Sequence, residues 1–69
     1  MARDVAIRGD MIRLGQLLKL ADVAGDGGEA KALLAEGLVT VNGEVELRRG
    51  RQLHPGDVVA VEGEQLRVS

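Results

Sequence analysis

The residues best suited to chemistry are three arginines. Arg48, Arg49 and Arg51 fall within four positions interrupted only by Gly50. A guanidinium stays charged across the biological pH range, and its planar fork matches two phosphate oxygens at once. The cluster therefore offers a set of phosphate contacts. The same residues also suit a solvated loop that keeps a sheet edge from pairing with another chain. Other reactive groups are sparse. His54 is the single histidine and the chain has no cysteine, so nothing is expected to share a metal with it, and an imidazole beside a turn reads as exposed loop. The one serine, Ser69, is the last residue, where no nucleophile is expected. Asp57, after Pro55-Gly56, reads as a turn residue that bonds local backbone. No combination of nucleophile, base and oxyanion donors emerges, and the chain is not expected to be an enzyme.

Gly25-Asp26-Gly27-Gly28, ahead of a helix, resembles a phosphate loop only superficially. It lacks the lysine and hydroxyl of a nucleotide-hydrolase loop, and Asp26 and Glu29 would repel an anion. It reads instead as a helix cap.

Composition narrows the options further. Sixty-nine residues with no Phe, Tyr or Trp make one domain, 1–69, whose core must be Leu, Val, Ile, Ala and Met. A chain this short buries only about 60% of its unfolded surface, too little to wall a large cofactor cavity. No cofactor and no small-molecule substrate are expected. No apolar run approaches the ~20 residues of a membrane span, and the protein is expected to be cytoplasmic and monomeric. The net charge of −2 does not by itself announce a nucleic-acid binder. The placement of charge is more informative: Arg3, Arg8, Arg13 and Lys19 outnumber Asp4 and Asp10 in the first third, and most acids lie elsewhere. A basic side on an acidic average is the expectation. The lack of aromatics argues against stacking single-strand binders and leaves shape-based recognition of folded RNA open.

The elements that would position these groups are legible from spacing. Val5 and Ile7 alternate with polar residues over 4–8, which predicts a short edge strand broken by Gly9-Asp10. Leu14, Leu17, Leu18 and Ala21 stand at i, i+3, i+4 and i+7, the apolar face of a helix over 13–21, with Leu20 as a possible widening of the stripe. Asp26 is the expected N-cap of a second helix, with Glu29 reaching back to complete a capping box. Ala30, Leu33 and Leu34 form its buried stripe, and it ends at Glu36 with Gly37 after it. The run 38–41 is then a strand, and Asn42-Gly43 turns it back into a partner over 44–47. Pro55-Gly56 predicts a type II turn, 58–62 a strand, Gly63-Glu64 a two-residue turn and 65–68 a last strand.

In that order these pieces resemble a known family. Arg13-Leu14 opening a helix with Leu17-Leu18, Ala30-Lys31 in a second helix, Glu36-Gly37-Leu38-Val39-Thr40-Val41-Asn42-Gly43, and Pro55-Gly56-Asp57-Val58-Val59 are similar to the RNA-binding domain named after ribosomal protein S-four, the alpha-L motif. The run 14–21 and the arginine cluster after the hairpin resemble the small stand-alone bacterial members of the YbcJ/YaaA type. The resemblance implies an α+β fold, two short helices packed on a small, mostly antiparallel sheet. It implies a non-catalytic protein that binds structured RNA, ribosomal or ribosome-associated, through Arg13, Lys19, Lys31, Arg48, Arg49 and Arg51. One departure stands out: where the wider family has serine then arginine at the start of the second helix, this chain has Asp26 and Gly27. Two alternatives remain at this stage. One is a protein-interaction module that binds an acidic partner. The other is a β-grasp carrier, which would need a terminal Gly-Gly where this sequence reads Arg67-Val68-Ser69.

Overall fold

The computed structural model describes residues 2–69. In chain order its elements are β1 (Ala2–Val5), β2 (Ile12–Arg13), α1 (Leu14–Leu20), α2 (Gly27–Ala35), β3 (Val39–Val41), β4 (Glu44–Val45), β5 (Gln52–Leu53), β6 (Val58–Val61) and β7 (Glu64–Val68). Five strands make one sheet in the order β1-β7-β6-β3-β4, and β2 with β5 makes a separate two-stranded ribbon. The large sheet is antiparallel except for β1, which runs parallel to β7. This is the expected α+β arrangement.

The apolar stripes account for the packing. Leu14, Leu17, Leu18 and Ala21 are all buried, as are Ala30 and Leu34 of α2. They close on the inward positions of the sheet, Val39, Val41, Val59, Val61, Leu66 and Val68, and on Leu53 of the ribbon, in one cluster. Full burial of a Leu or Val side chain contributes about 1.5–3 kcal/mol, and this cluster supplies the core without an aromatic ring. Leu20, off the stripe, does not widen it and is 55% exposed, while Leu33 is only half-buried.

Both helices end in the same way. After α2, Gly37 takes φ +72°, its N–H donates to the Leu34 carbonyl, and the Leu38 N–H donates to that of Leu33. This is a Schellman closure of the last turn. After α1 the same bonds run from Asp22 to Lys19 and from Val23 to Leu18, with Asp22 at φ +62°. The start of α2 is also as expected, with one change. Asp26 Oδ1 accepts from the Glu29 N–H, but the Glu29 carboxylate reaches back to the Gly25 N–H at 3.0 Å instead of the Asp26 N–H.

The sheet corrects several expectations. The first strand lies at 2–5, two residues earlier than 4–8, because parallel pairing with β7 sets Ala2 against Gln65 and Val5 against Val68. The ribbon of β2 and β5, with Ile12 opposite Leu53, has no signature in such short segments. Leu38 is outside β3 and half-exposed, and pairing between β3 and β4 stops at Val45 instead of running to Leu47. Pairing of Val61 with Glu64 places the last turn at Glu62-Gly63, not Gly63-Glu64. Both turn residues are left-handed (φ +50° and +79°), the same geometry as Asn42-Gly43 (+50° and +88°). These are type I′ turns, whose twist matches that of the strands they join.

Asn42 does more than turn the chain. Its side chain accepts from the Val58 N–H at 2.9 Å and donates to Asp57 Oδ1 at 3.1 Å, which ties the first hairpin to the Pro55-Gly56 turn. A Cβ at Gly43 would meet no neighbour, so only the backbone conformation opposes a side chain there. Gly43→Val is expected to destabilise the fold by about 1–3 kcal/mol through that conformation alone, read as a lower midpoint in urea denaturation. An unchanged midpoint would show that the turn does not constrain the sheet.

Candidate nucleic-acid interface

The site is built where the arginine loop meets the start of α1. The first N–H groups of a helix have no partner within it. Here the Leu14 N–H donates to the Arg51 carbonyl at 2.8 Å and the Gly15 N–H to the Arg49 carbonyl at 2.9 Å. Beside them, Arg13 pairs with Gln52 in the ribbon. The approach is close: a Cβ on Gly15 would lie 2.5 Å from Arg49 Cγ, so a larger residue needs the Arg49 side chain to shift, while the Arg49 carbonyl would lie at an ordinary 3.5 Å. Arg13 is the N-cap residue of α1 and has no side-chain acceptor, so only half of a capping box forms, from the Arg13 N–H to Gln16 Oε1 at 3.4 Å. Its guanidinium instead turns to the loop and donates to the Gly50 carbonyl at 3.3 Å.

A single carboxylate holds the loop from inside. Glu46 is 8% exposed. Its Oε2 accepts from the N–H groups of Leu47 and Arg48, both at 3.1 Å, and from Arg48 Nε at 3.3 Å. Its Oε1 accepts from Arg51 Nη1 at 2.9 Å. The Arg51 hydrogen bond, followed by those from the Arg48 backbone and side chain, pulls the Glu46 pKa down from 4.5 to about 2. Five positions from Glu46 to Gly50 thus run as a compact loop, with Val45 and Leu47 facing out at 60% exposure and the glutamate facing in. The arginines are not the acid-free set that their spacing suggested, since Arg48 and Arg51 share a carboxylate that lies just upstream.

The cations expected at the interface divide accordingly. Arg13, Lys19 and Arg49 line one cleft of about 260 Å³ between α1 and α2, together with Gln16 and Gly27. Arg48 and Arg51 open onto the other side of Gly50, beside Gln52 and His54. Lys31 is exposed on α2 next to Ala30, which forms part of the cleft, but does not itself line it. Arg3 and Arg67 are engaged at the far edge of the sheet, with Glu64 at 3.5 Å and Asp4 at 2.8 Å. The Asp4 hydrogen bond raises the Arg67 pKa. Asp57 accepts from the His54 N–H at 2.8 Å, the local bond expected of it, and this bond is the main cause of its lowered pKa. Among the described residues no group of His, Cys, Asp or Glu is arranged to hold a metal ion. No helix among them is long and apolar enough to cross a membrane.

Two parts of this site were missed from sequence. Gly15, within the run 14–21, has no signal of its own, yet it leaves room for the Arg49 stem. Glu46 looked like one of many scattered acids. A usable signal was there: alternation over 44–47 places Glu46 on the opposite face from Val45 and Leu47, two and five residues before the arginines it binds.

Comparison with known proteins bears on this geometry. Residues 5–69 match the family model described as the S4 domain. A Bacillus subtilis (strain 168) protein named probable ribosome maturation protein RlbA is 56% identical over 63 residues, which span 91% of this chain and 89% of that protein. The solution structure of YbcJ from E. coli, described as having an alpha-L motif involved in RNA-binding, aligns with a TM-score of 0.71 and 32% identity over 94% of this chain and 84% of that one. The 30S ribosomal protein S4e from Thermoplasma acidophilum aligns with a TM-score of 0.65 and 28% identity over 87% of this chain; the chain spans about a third of that protein, 32% of its length.

The clamp has a pH signature. With a folded pKa of about 2 against 4.5 for the free side chain, ionised Glu46 stabilises the loop fully above pH 4.5, and that contribution is lost as pH falls toward 2. The amide resonances of Leu47 and Arg48 are expected to shift together, with a common midpoint near pH 2. Glu46→Gln should abolish this titration and broaden the same resonances at neutral pH. Sharp, unshifted signals in the variant would mean that the carboxylate does not hold the loop.

Proposed function

Because this chain belongs to the S4 domain family, we propose that it binds structured RNA, ribosomal or ribosome-associated, without a catalytic step. The observation that carries the reading is the docking of the arginine loop on the start of α1, which brings Arg13, Lys19 and Arg49 to one cleft. The backbone contacts fix where Arg49 leaves the chain relative to α1, and Arg13 is further held by the Gly50 carbonyl, which reduces the ordering cost of binding phosphates. In this reading Arg13, Lys19 and Arg49 make the central phosphate contacts and Arg48 and Lys31 flank them. Arg51 contributes charge and, through Glu46, holds the loop. The ribosome maturation name of the Bacillus relative and the RNA-binding motif of YbcJ support the choice of ligand. The protein would act as a monomer in the cytoplasm.

A protein contact is the second reading, favoured by one observation: Leu38, Val45 and Leu47 are each at least half exposed, and Leu47 precedes Arg48. A partner retained in a pull-down after nuclease treatment would support it.

The RNA reading makes a quantitative claim. Three or four phosphate contacts give a slope of about −2 to −4 in log K against log salt. Replacing Arg13 and Arg49 together by glutamine is expected to weaken binding of a folded ribosomal RNA fragment and reduce that slope by about 2. Arg67→Gln, on the far edge, should leave the slope unchanged. An unaltered slope in the double variant would remove both arginines from the interface.

A further inference from the structure

The cleft between α1 and α2 is unlike a simple groove for phosphates. Its lining includes the cations Arg13, Lys19 and Arg49, and also Gly15, Gly27 and Ala30, which have no polar side chain. Its volume of about 260 Å³ far exceeds the ~30 Å³ share of one water and lies just below the ~300–1,000 Å³ range of drug-sized pockets. That is room for one small planar group, not for a double helix. Apolar lining and an arginine stem beside cations suit a ligand with a flat face and an anionic end.

The geometry points to a pocket for a single unpaired nucleotide of a bound RNA, its base lying against Gly27 and the Arg49 stem and its phosphates at Arg13, Lys19 and Arg49. This deepens the RNA-binding reading and rests on it. The walls support the assignment. Arg13 is held by the Gly50 carbonyl through one nitrogen, which leaves the face of its guanidinium plane available. The Arg49 stem packs over Gly15. In a chain with no aromatic residue, guanidinium planes are the surfaces on which a base stacks. Gln16 receives the Arg13 N–H on its oxygen, so its amide NH₂ is the donor left at the rim for a base edge.

Gly27 provides the test. It has no positive φ, and a Cβ there would meet nothing within 4 Å. Leucine is also a better helix former than glycine by about 1 kcal/mol or slightly less, so Gly27→Leu should fill the cleft and still fold, which circular dichroism would confirm. Three hairpin RNAs with one stem serve as probes: one with a single bulged adenosine, one with an abasic residue at the bulge, and one fully paired. The wild-type chain is expected to bind the bulged adenosine about tenfold tighter than the other two, and Gly27→Leu is expected to bind all three alike. Equal wild-type affinity for the three hairpins would overturn the nucleotide pocket and leave RNA binding standing. So would a preference that survives in Gly27→Leu, and saturable binding of free adenosine monophosphate would assign the cleft to a free nucleotide instead. Failure of the wild type to bind any hairpin, at low salt included, would overturn the pocket together with the RNA reading beneath it.

Discussion

The structure depends on a backbone contact between parts of the chain that are distant in sequence. Two N–H groups at the start of α1 have no partner in their own helix and take the carbonyls of Arg49 and Arg51. The contact answers two requirements at once. It satisfies donors that would be costly to bury unpaired, and it fixes a loop that would otherwise be a flexible string of like charges. Gly15 lets the Arg49 stem lie over the start of α1, since a Cβ there would push that side chain aside. Where the helix begins and where the arginines point are thus one structural decision.

Glu46 explains how arginines so close together are tolerated. Repulsion among neighbouring guanidinium groups is offset by a carboxylate with four donors, two from backbone and two from side chains. Removing Glu46 would leave two guanidinium groups and two backbone N–H groups without their shared acceptor. Arg48 and Arg51 are consequently both ligands of the protein's own carboxylate and contributors to its outer charge. Arg49, between them, makes its contact through its aliphatic stem and keeps its charge for the cleft. One four-residue cluster therefore contains arginines with different jobs, a distinction that composition does not reveal.

What the sequence disclosed follows from the range of the forces involved. Leu14, Leu17 and Leu18, the Asp26 cap, Gly37 and Asn42-Gly43 were legible because periodicity, capping and turn geometry are decided by neighbours a few residues away. The β2–β5 ribbon was not, since two residues in each strand carry no period and exist only because their partners meet. The placement of β1 was missed by two residues because pairing with β7, at the other end of the chain, sets it. Asp22 was hidden for a different reason: it takes the left-handed position that glycine usually marks, so the true end of α1 had no glycine to announce it. The division between Arg13, Lys19 and Arg49 on one side of Gly50 and Arg48 and Arg51 on the other has no counterpart in spacing, because the Glu46 carboxylate holds the latter two.

The pairing of Arg13 with Gly50 bridges 37 positions, and this has a consequence for how the chain becomes functional. A growing polypeptide has Arg13 and Lys19 early, but the loop that completes their cleft is made only after β3 and β4. Contacts of this range close late, since the entropy of bringing the segments together precedes any gain from their bonds. A partly folded chain therefore has the charges of the finished protein without their arrangement. Arg13, Lys19 and Arg49 then lack the spacing that the loop contact sets. The cleft is in this sense a property of the completed topology, acquired when the loop closes on α1.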